Sequence, residues 1–184
     1  MKRKLTTEVI SHAALGIALM TVCSWLSIPL TVPFTLQTFA VCLVSALLGT
    51  QIGLLSVGSY ILLGLLGAPV FSGFRGGFAV LLGATGGYII GFLFTVLIVG
   101  PATEHFGRKL PVLLISMAAG ILVCYAFGTV WFMTVYAKNS GTVGVMTALG
   151  WCVFPYLLPD AVKIALAALL TLRLYTILKR KKGF

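Results

Sequence analysis

The sequence predicts an all-α integral membrane protein, a bundle of six transmembrane helices with both termini cytoplasmic. Three observations predict it. Of 184 residues, 60% are hydrophobic and only 9% charged, whereas a soluble domain carries roughly 25% charged residues. Apolar stretches near the length of a spanning helix, about 20 residues, follow one another with short connections, which describes one membrane domain over residues 1–184. The cations cluster: Lys2, Arg3 and Lys4 at the start, Arg108 and Lys109 in one turn, and Arg173 followed by Lys179, Arg180, Lys181 and Lys182 at the end. This is the positive-inside pattern. It places both basic ends in the cytoplasm, and an even number of crossings follows.

The net charge of +10 is therefore read as basic ends against anionic lipid and cytoplasm, and nucleic acid is not an expected partner. The chain belongs in a cell membrane as a multi-pass protein.

The elements follow in order. The first helix covers about 8–28 and is stopped by Pro29 and Pro33, because proline cannot donate to the helical ladder. It has no small-residue cleavage site followed by a soluble domain, so it reads as a retained membrane helix. The apolar run over 36–66 is too long for one helix. Gly49-Thr50-Gln51 is its expected break, giving helices at about 36–48 and 53–66. Nine of the 21 glycines lie between Gly64 and Gly91, so part of that region, 69–78, reads as a loop. Helices at about 79–99, 112–135 and 158–178 complete the bundle. The stretch 142–154 is apolar but short, and Pro155 and Pro159 bracket a bend. The outer connections are then 29–35, 69–78 and 138–159. Irregular backbone at membrane depth is tolerated where it is buried in protein or lines a cavity, so these three predict an outward-facing pocket with loop walls.

Asp160 and Lys163 stand out within the last apolar stretch. Intramembrane charges are costly and face a cavity or a partner. Residues three apart share a helix face, so the two are neighbours. Lys179 lies 19 residues beyond Asp160, about 28 Å along a helix, which sets the pair near the outer boundary. Pro159 suggests that Asp160 lies in the first turn of its helix, where the dipole favours an anion. Lys163 then needs a compensating acceptor. One reading of the pair is an ion pair that joins helices. The other is a clamp in which the carboxylate accepts and the ammonium donates, suited to a urea or amide group.

Other motifs carry less. Gly83-Ala84-Thr85-Gly86-Gly87-Tyr88 lacks the Lys-Ser/Thr ending and the preceding strand of a phosphate loop, so it reads as close packing or approach to a ligand. Ala14 and Ala18 are small residues four apart, a spacing that permits close helix contact within the bundle or with a partner. His12 reads as structural, and Glu104 and His105 as solvated turn residues. Trp25, Trp131, Trp151, Tyr125 and Tyr136 are candidate interfacial anchors. Trp151 and Tyr156 are also near enough to Asp160 in sequence to be candidates for stacking on a ligand. Cys23, Cys42, Cys124 and Cys152 all lie in apolar stretches without a CxxC spacing, which reads as buried inert thiols. No metal site or catalytic constellation is visible, so a substrate-binding membrane subunit is expected rather than an enzyme.

Four motifs, in order along nearly the whole chain, carry a family resemblance. They are Val32-Pro33-Phe34-Thr35-Leu36-Gln37-Thr38-Phe39-Ala40-Val41, Gly64-Leu65-Leu66-Gly67-Ala68-Pro69-Val70-Phe71, Leu82-Gly83-Ala84-Thr85-Gly86-Gly87-Tyr88 and Pro155-Tyr156-Leu157-Leu158-Pro159-Asp160-Ala161-Val162-Lys163. Together they resemble BioY, the biotin-binding S component of energy-coupling factor (ECF) transporters. The resemblance implies a six-helix fold of S-component type. It implies biotin bound near the outer face, beneath the loop between the first two helices. It also implies a membrane T component and two cytoplasmic ATPases as partners, which would hydrolyse the ATP. Asp160 and Lys163 would contact the bicyclic ring. Thr35 and Gln37 would belong to the lid loop, Gly87 and Tyr88 would line the pocket, and Ala14 and Ala18 would dock on the T component. The chain departs from the family pattern at Ala84, where proline usually precedes Thr-Gly-Gly-Tyr, and at Arg75, in an otherwise glycine-rich loop. Arg75 is an outer cation that either meets the biotin carboxylate or faces solvent. The competing readings are an S component for another small vitamin and a solitary gradient-driven carrier. Against the carrier stand the lack of an obvious inverted repeat and of a midplane acid.

Overall fold

In a computed structural model of the chain, which describes residues 6–30 and 32–181, helices dominate. They are α1 (Thr7–Trp25), α2 (Gln37–Leu65), α3 (Phe78–Leu82), α4 (Gly86–Phe106), α5 (Leu110–Ser140), α6 (Val145–Cys152) and α7 (Phe154–Lys181), with two short strands, β1 (Ser27–Ile28) and β2 (Phe34–Thr35), between α1 and α2. Five helices are long and apolar enough to cross a membrane. Their outer faces expose Leu15, Leu62, Ile115, Leu122, Leu158 and Leu166. A water-soluble protein rarely shows so continuous an apolar surface, whereas lipid solvates it well.

The core is built from Met20, Val41, Val57, Tyr60, Val96, Val99, Met117 and Phe132. α2 lies at the centre, packed on α1, α4 and α7. Small residues let the helices approach. Gly16 of α1 faces Ser56 and Val44, and Gly91 of α4 faces Cys124 of α5.

α2 is two helical arms joined at Gly49, whose φ of 81° and ψ of −177° are not helical. Gln37 and Tyr60 are 23 residues apart, yet Gln37 Nε2 donates to Tyr60 Oη at 2.5 Å. A straight helix would separate them by about 35 Å, so the arms fold back on each other. Charged side chains clasp the bend. Glu104 Oε1 accepts from the Thr50 amide at 2.7 Å and Glu104 Oε2 from the Thr50 hydroxyl at 2.9 Å, which satisfies an orphan donor at the start of the second arm. Arg108 donates to the carbonyls of Ala46 and Leu47 at 2.8 and 3.1 Å, which are orphan acceptors at the end of the first. Its guanidinium also lies 4.5 Å from the ring centre of Tyr175 on α7. Glu104 is thus a helix cap, not a merely solvated turn residue.

Several boundaries differ from expectation. α1 stops at Trp25 because Ser27 and Ile28 pair antiparallel with Thr35 and Phe34, where helix was expected to residue 28. The helix expected over 79–99 is two pieces, α3 and α4, separated by Gly83–Thr85. Residues 145–152 form α6, where a short apolar stretch without assigned structure was expected. α7 begins at Phe154, ahead of both prolines. Pro155 falls in its first turn, where a missing N–H is no loss. Asp160 is therefore in the second turn. Dipole effects fade within the first turn, so side chains must stabilise its charge.

Candidate functional site

Three connections expected on the same side of the membrane converge on one cavity. It holds about 700 Å³ of empty space, counting its open mouth. The segment joining α1 to α2 supplies Val32, Pro33 and Thr35, the segment after α2 supplies Phe71, Ser72 and Arg75, and the α6–α7 corner supplies Cys152 and Tyr156. The floor is Asp160 and Lys163, 3% and 5% exposed.

The pair is an ion pair with Lys163 Nζ 2.6 Å from Asp160 Oδ1. Asp160 Oδ1 also accepts from the Thr38 hydroxyl at 3.1 Å, and Oδ2 accepts from the Tyr125 hydroxyl. Lys163 Nζ donates further to the Thr35 carbonyl at 2.6 Å and to Thr38 Oγ1 at 3.3 Å. It lies 4.0 Å from the centre of the Phe34 ring, a cation–π contact strengthened by the dry surroundings. Three helices, α2, α5 and α7, and the β2 strand thus meet on two charges. Among the described residues no buried side-chain nitrogen or oxygen lacks a partner. That completeness lets an ion pair survive burial, whose desolvation cost its Coulomb attraction only partly offsets.

The segment over the pair is tied down by a relay. Thr35 Oγ1 donates to Gln37 Oε1 at 3.0 Å, Gln37 donates to Tyr60, and Tyr60 Oη donates to the Val70 carbonyl at 2.8 Å. Ser24 at the end of α1 donates to the same carbonyl at 2.6 Å. Tyr156 Oη donates to the Val32 carbonyl, and the Tyr156 ring stacks with Phe34. One end of the cavity is therefore polar and fully bonded. Its walls, Ile89, Phe92, Val80 and Phe71, are apolar.

The residues expected at the site divide. Asp160, Lys163, Thr35, Gln37, Tyr88, Arg75 and Tyr156 all line the cavity. Gly87 does not. It is buried where a Cβ would run into Trp131, so its role is close contact between α4 and α5. Trp151 does not line it either. α6 turns this half-exposed ring outward against Tyr136, at 5.8 Å between ring centres, while its neighbour Cys152 faces the cavity. Tyr125 is buried on Asp160 and is not an interfacial anchor. His12 bonds within its own helix, to the Glu8 carbonyl at 2.7 Å. All four cysteines are buried and unpaired. Ala14 and Ala18 are exposed on α1, while Ala13 and Gly16 face inward. These two alanines are thus not packed within the bundle.

Sequence reasoning missed Thr38, Phe34 and the role of Tyr125. A signal existed for Tyr125, since a phenol hydroxyl within an apolar helix needs a hydrogen-bond partner. Thr38 had none, because its contact with Asp160 spans 122 residues.

Fold and site define a class: a multi-pass membrane protein with a cavity of small-molecule size over a buried ion pair. Comparison with known proteins narrows it. The BioY family model matches residues 1–180. The chain is 39% identical to a biotin transporter BioY of Thermotoga maritima, over 88% of this chain and 92% of that protein. It is 40% identical to a probable biotin transporter BioY of Pyrococcus horikoshii, over 90% and 94%. The crystal structure of the S-component for biotin from an ECF-type ABC transporter superposes with a TM-score of 0.83 at 26% identity, covering 96% of this chain and 95% of that one. The chain belongs to the BioY family.

Proposed function

We propose that this protein captures biotin at the outer face of the cell membrane and delivers it inward with an ECF module. The observation that carries the reading is the buried Asp160–Lys163 pair on the floor of the cavity. Biotin presents a urea-like ring whose N–H and C=O stand side by side. Asp160 accepts from the ring N–H and Lys163 donates to the ring oxygen. The ring oxygen takes over the donor that Thr35 O occupies, so ligand entry exchanges one acceptor for another at the ammonium. Thr35, Gln37, Thr38 and Tyr88 frame the ring, and the apolar walls take the thiophane and tail.

The orientation follows from charge. Six crossings, with α2 counted as two at the Gly49 bend, bring both basic ends to the cytoplasm. They put the Arg108–Lys109 turn on the same side and the cavity on the other. The T component and two ATPases supply the energy, and the open Ala14/Ala18 face of α1 is the docking surface.

Two measurements test this. Mass spectrometry of protein purified without added ligand, followed by biotin titration, is expected to find biotin at one per chain. Another vitamin in the pocket would overturn the biotin assignment. Ala14→Leu with Ala18→Leu is expected to leave biotin binding unchanged and to abolish uptake in cells carrying the module. Unchanged uptake would remove α1 as the docking face.

A further inference from the structure

The cavity has two charged poles. At the floor Asp160 and Lys163 neutralise each other. At the mouth stands Arg75, exposed, where the cavity meets a second, open hollow that shares Pro33, Val80 and Thr85 with it. The Arg75 side chain makes one hydrogen bond among the described residues, from Nε to the Ser72 carbonyl at 3.1 Å. That bond fixes the plane of the guanidinium and leaves the two terminal amino groups for an anion. Among the described residues no carboxylate serves as that anion. Asp160 is held by Lys163, Tyr125 and Thr38, Glu104 caps Thr50, and Glu8 lies in the first turn of α1.

The arm that carries Arg75 is mounted rigidly. Phe71 and Arg75 exchange backbone hydrogen bonds, Phe71 N to Arg75 O at 2.9 Å and Arg75 N to Phe71 O at 3.3 Å. They close a tight turn of three residues, Ser72, Gly73 and Phe74, the last of which leads into Arg75. Phe74 has a φ of 56°, a left-handed conformation that is uncommon and costly for an aromatic residue. Strain of that kind persists only where surroundings hold it. Here the holder is Trp25 at the end of α1. Its ring stacks on Phe74 at 4.9 Å, and its Nε1 donates to the Pro69 carbonyl at 2.8 Å.

We propose that Arg75 reads the ligand's terminal carboxylate, so that the pocket selects free acids over esters and amides, and that Phe74, seated on Trp25, is the positioning residue that aims it. This rests on the biotin reading. A guanidinium binds a carboxylate by charge-assisted, often bidentate hydrogen bonds, and a neutral ester offers neither the charge nor the second strong acceptor. The floor of the site recognises the ring alike in both ligands, so the difference between acid and ester isolates the mouth.

The test is titration of biotin and of biotin methyl ester into the full-length protein in detergent, at near-neutral pH and low salt. Wild type is expected to prefer the acid by on the order of tenfold or more, the scale of one hydrogen bond to a charged group. Arg75→Gln should weaken the acid to the level of the ester and leave the ester unchanged. Arg75→Lys should restore part of the preference, since an ammonium keeps the charge and loses the planar fork. Phe74→Ala keeps the charge and should give an intermediate preference. Equal affinities of wild type for acid and ester would overturn the proposal, as would an Arg75→Gln variant that weakens both ligands alike. Failure of wild type to bind either ligand would overturn the biotin reading and this inference with it. Tight binding without discrimination would overturn this inference alone.

Discussion

Lys163→Ala is expected to abolish biotin capture, weakening binding by on the order of 100-fold or more, and to destabilise the protein. Lys163 Nζ is held between Asp160 Oδ1 and the Thr35 carbonyl, both at 2.6 Å. Alanine leaves Asp160, 3% exposed, with two hydroxyl donors and no countercharge. Removing one partner of a buried ion pair costs about 3–5 kcal/mol. It also frees Thr35, and with it the segment that covers the floor. Asp160→Asn is the companion variant, because it keeps the shape and removes the charge. It should fold better than Lys163→Ala, since Asn retains an acceptor for Tyr125 or Thr38, yet it should bind biotin poorly because Lys163 then lacks its anion. Thermal unfolding and biotin titration of both variants separate the two effects. Wild-type affinity in either folded variant would eliminate the clamp.

Gly49→Ala is expected to be among the most destabilising single-methyl changes in the chain. Gly49 adopts a φ of 81° with a ψ of −177°, a region essentially confined to glycine, and holding another residue there costs about 1–3 kcal/mol. The added Cβ would also meet the Glu104 carboxylate and push it from the Thr50 amide, removing a helix cap worth about 1 kcal/mol. Gly67→Ala provides the control. Gly67 has a φ of 98° with open space where its Cβ would be, so it carries the conformational cost without the collision. Unfolding in detergent should show a loss of about 2–4 kcal/mol for Gly49→Ala and roughly half of that for Gly67→Ala. Equal losses would show that Glu104 yields without cost and that the bend depends on backbone conformation alone. Biotin binding should fall as well in Gly49→Ala, because the arms that meet at Gly49 carry Gln37 and Tyr60 at their far ends.

The helical, membrane-embedded character of this chain was legible from composition alone. Lipid cannot hydrogen-bond to the backbone, so a long apolar run has few choices. The break at Gly49 was legible because glycine sits in a stretch too long for one helix. The helix ends were read less well. Ser27 and Ile28 continue the apolar pattern of α1, and only pairing with Phe34 and Thr35 turns them into a strand. Pro155 and Pro159 suggested a late start for α7, but proline in a first turn gives up a bond that would not be made there.

The sequence by itself determined which two charges matter. An aspartate and a lysine one turn apart in an apolar helix must face each other or a cavity. The tertiary structure decided what neutralises them. Thr38 and Tyr125 come from helices distant in sequence, and the Thr35 carbonyl comes from a strand whose existence depends on its partner. It also turned Trp151 away from the cavity, set Gly87 against Trp131 and left Ala14 and Ala18 on an open face. Charge in an apolar solvent is a local cost that the sequence displays. Hydrogen bonds that remove the cost depend on which helices stand side by side, and that is settled only by packing the whole bundle.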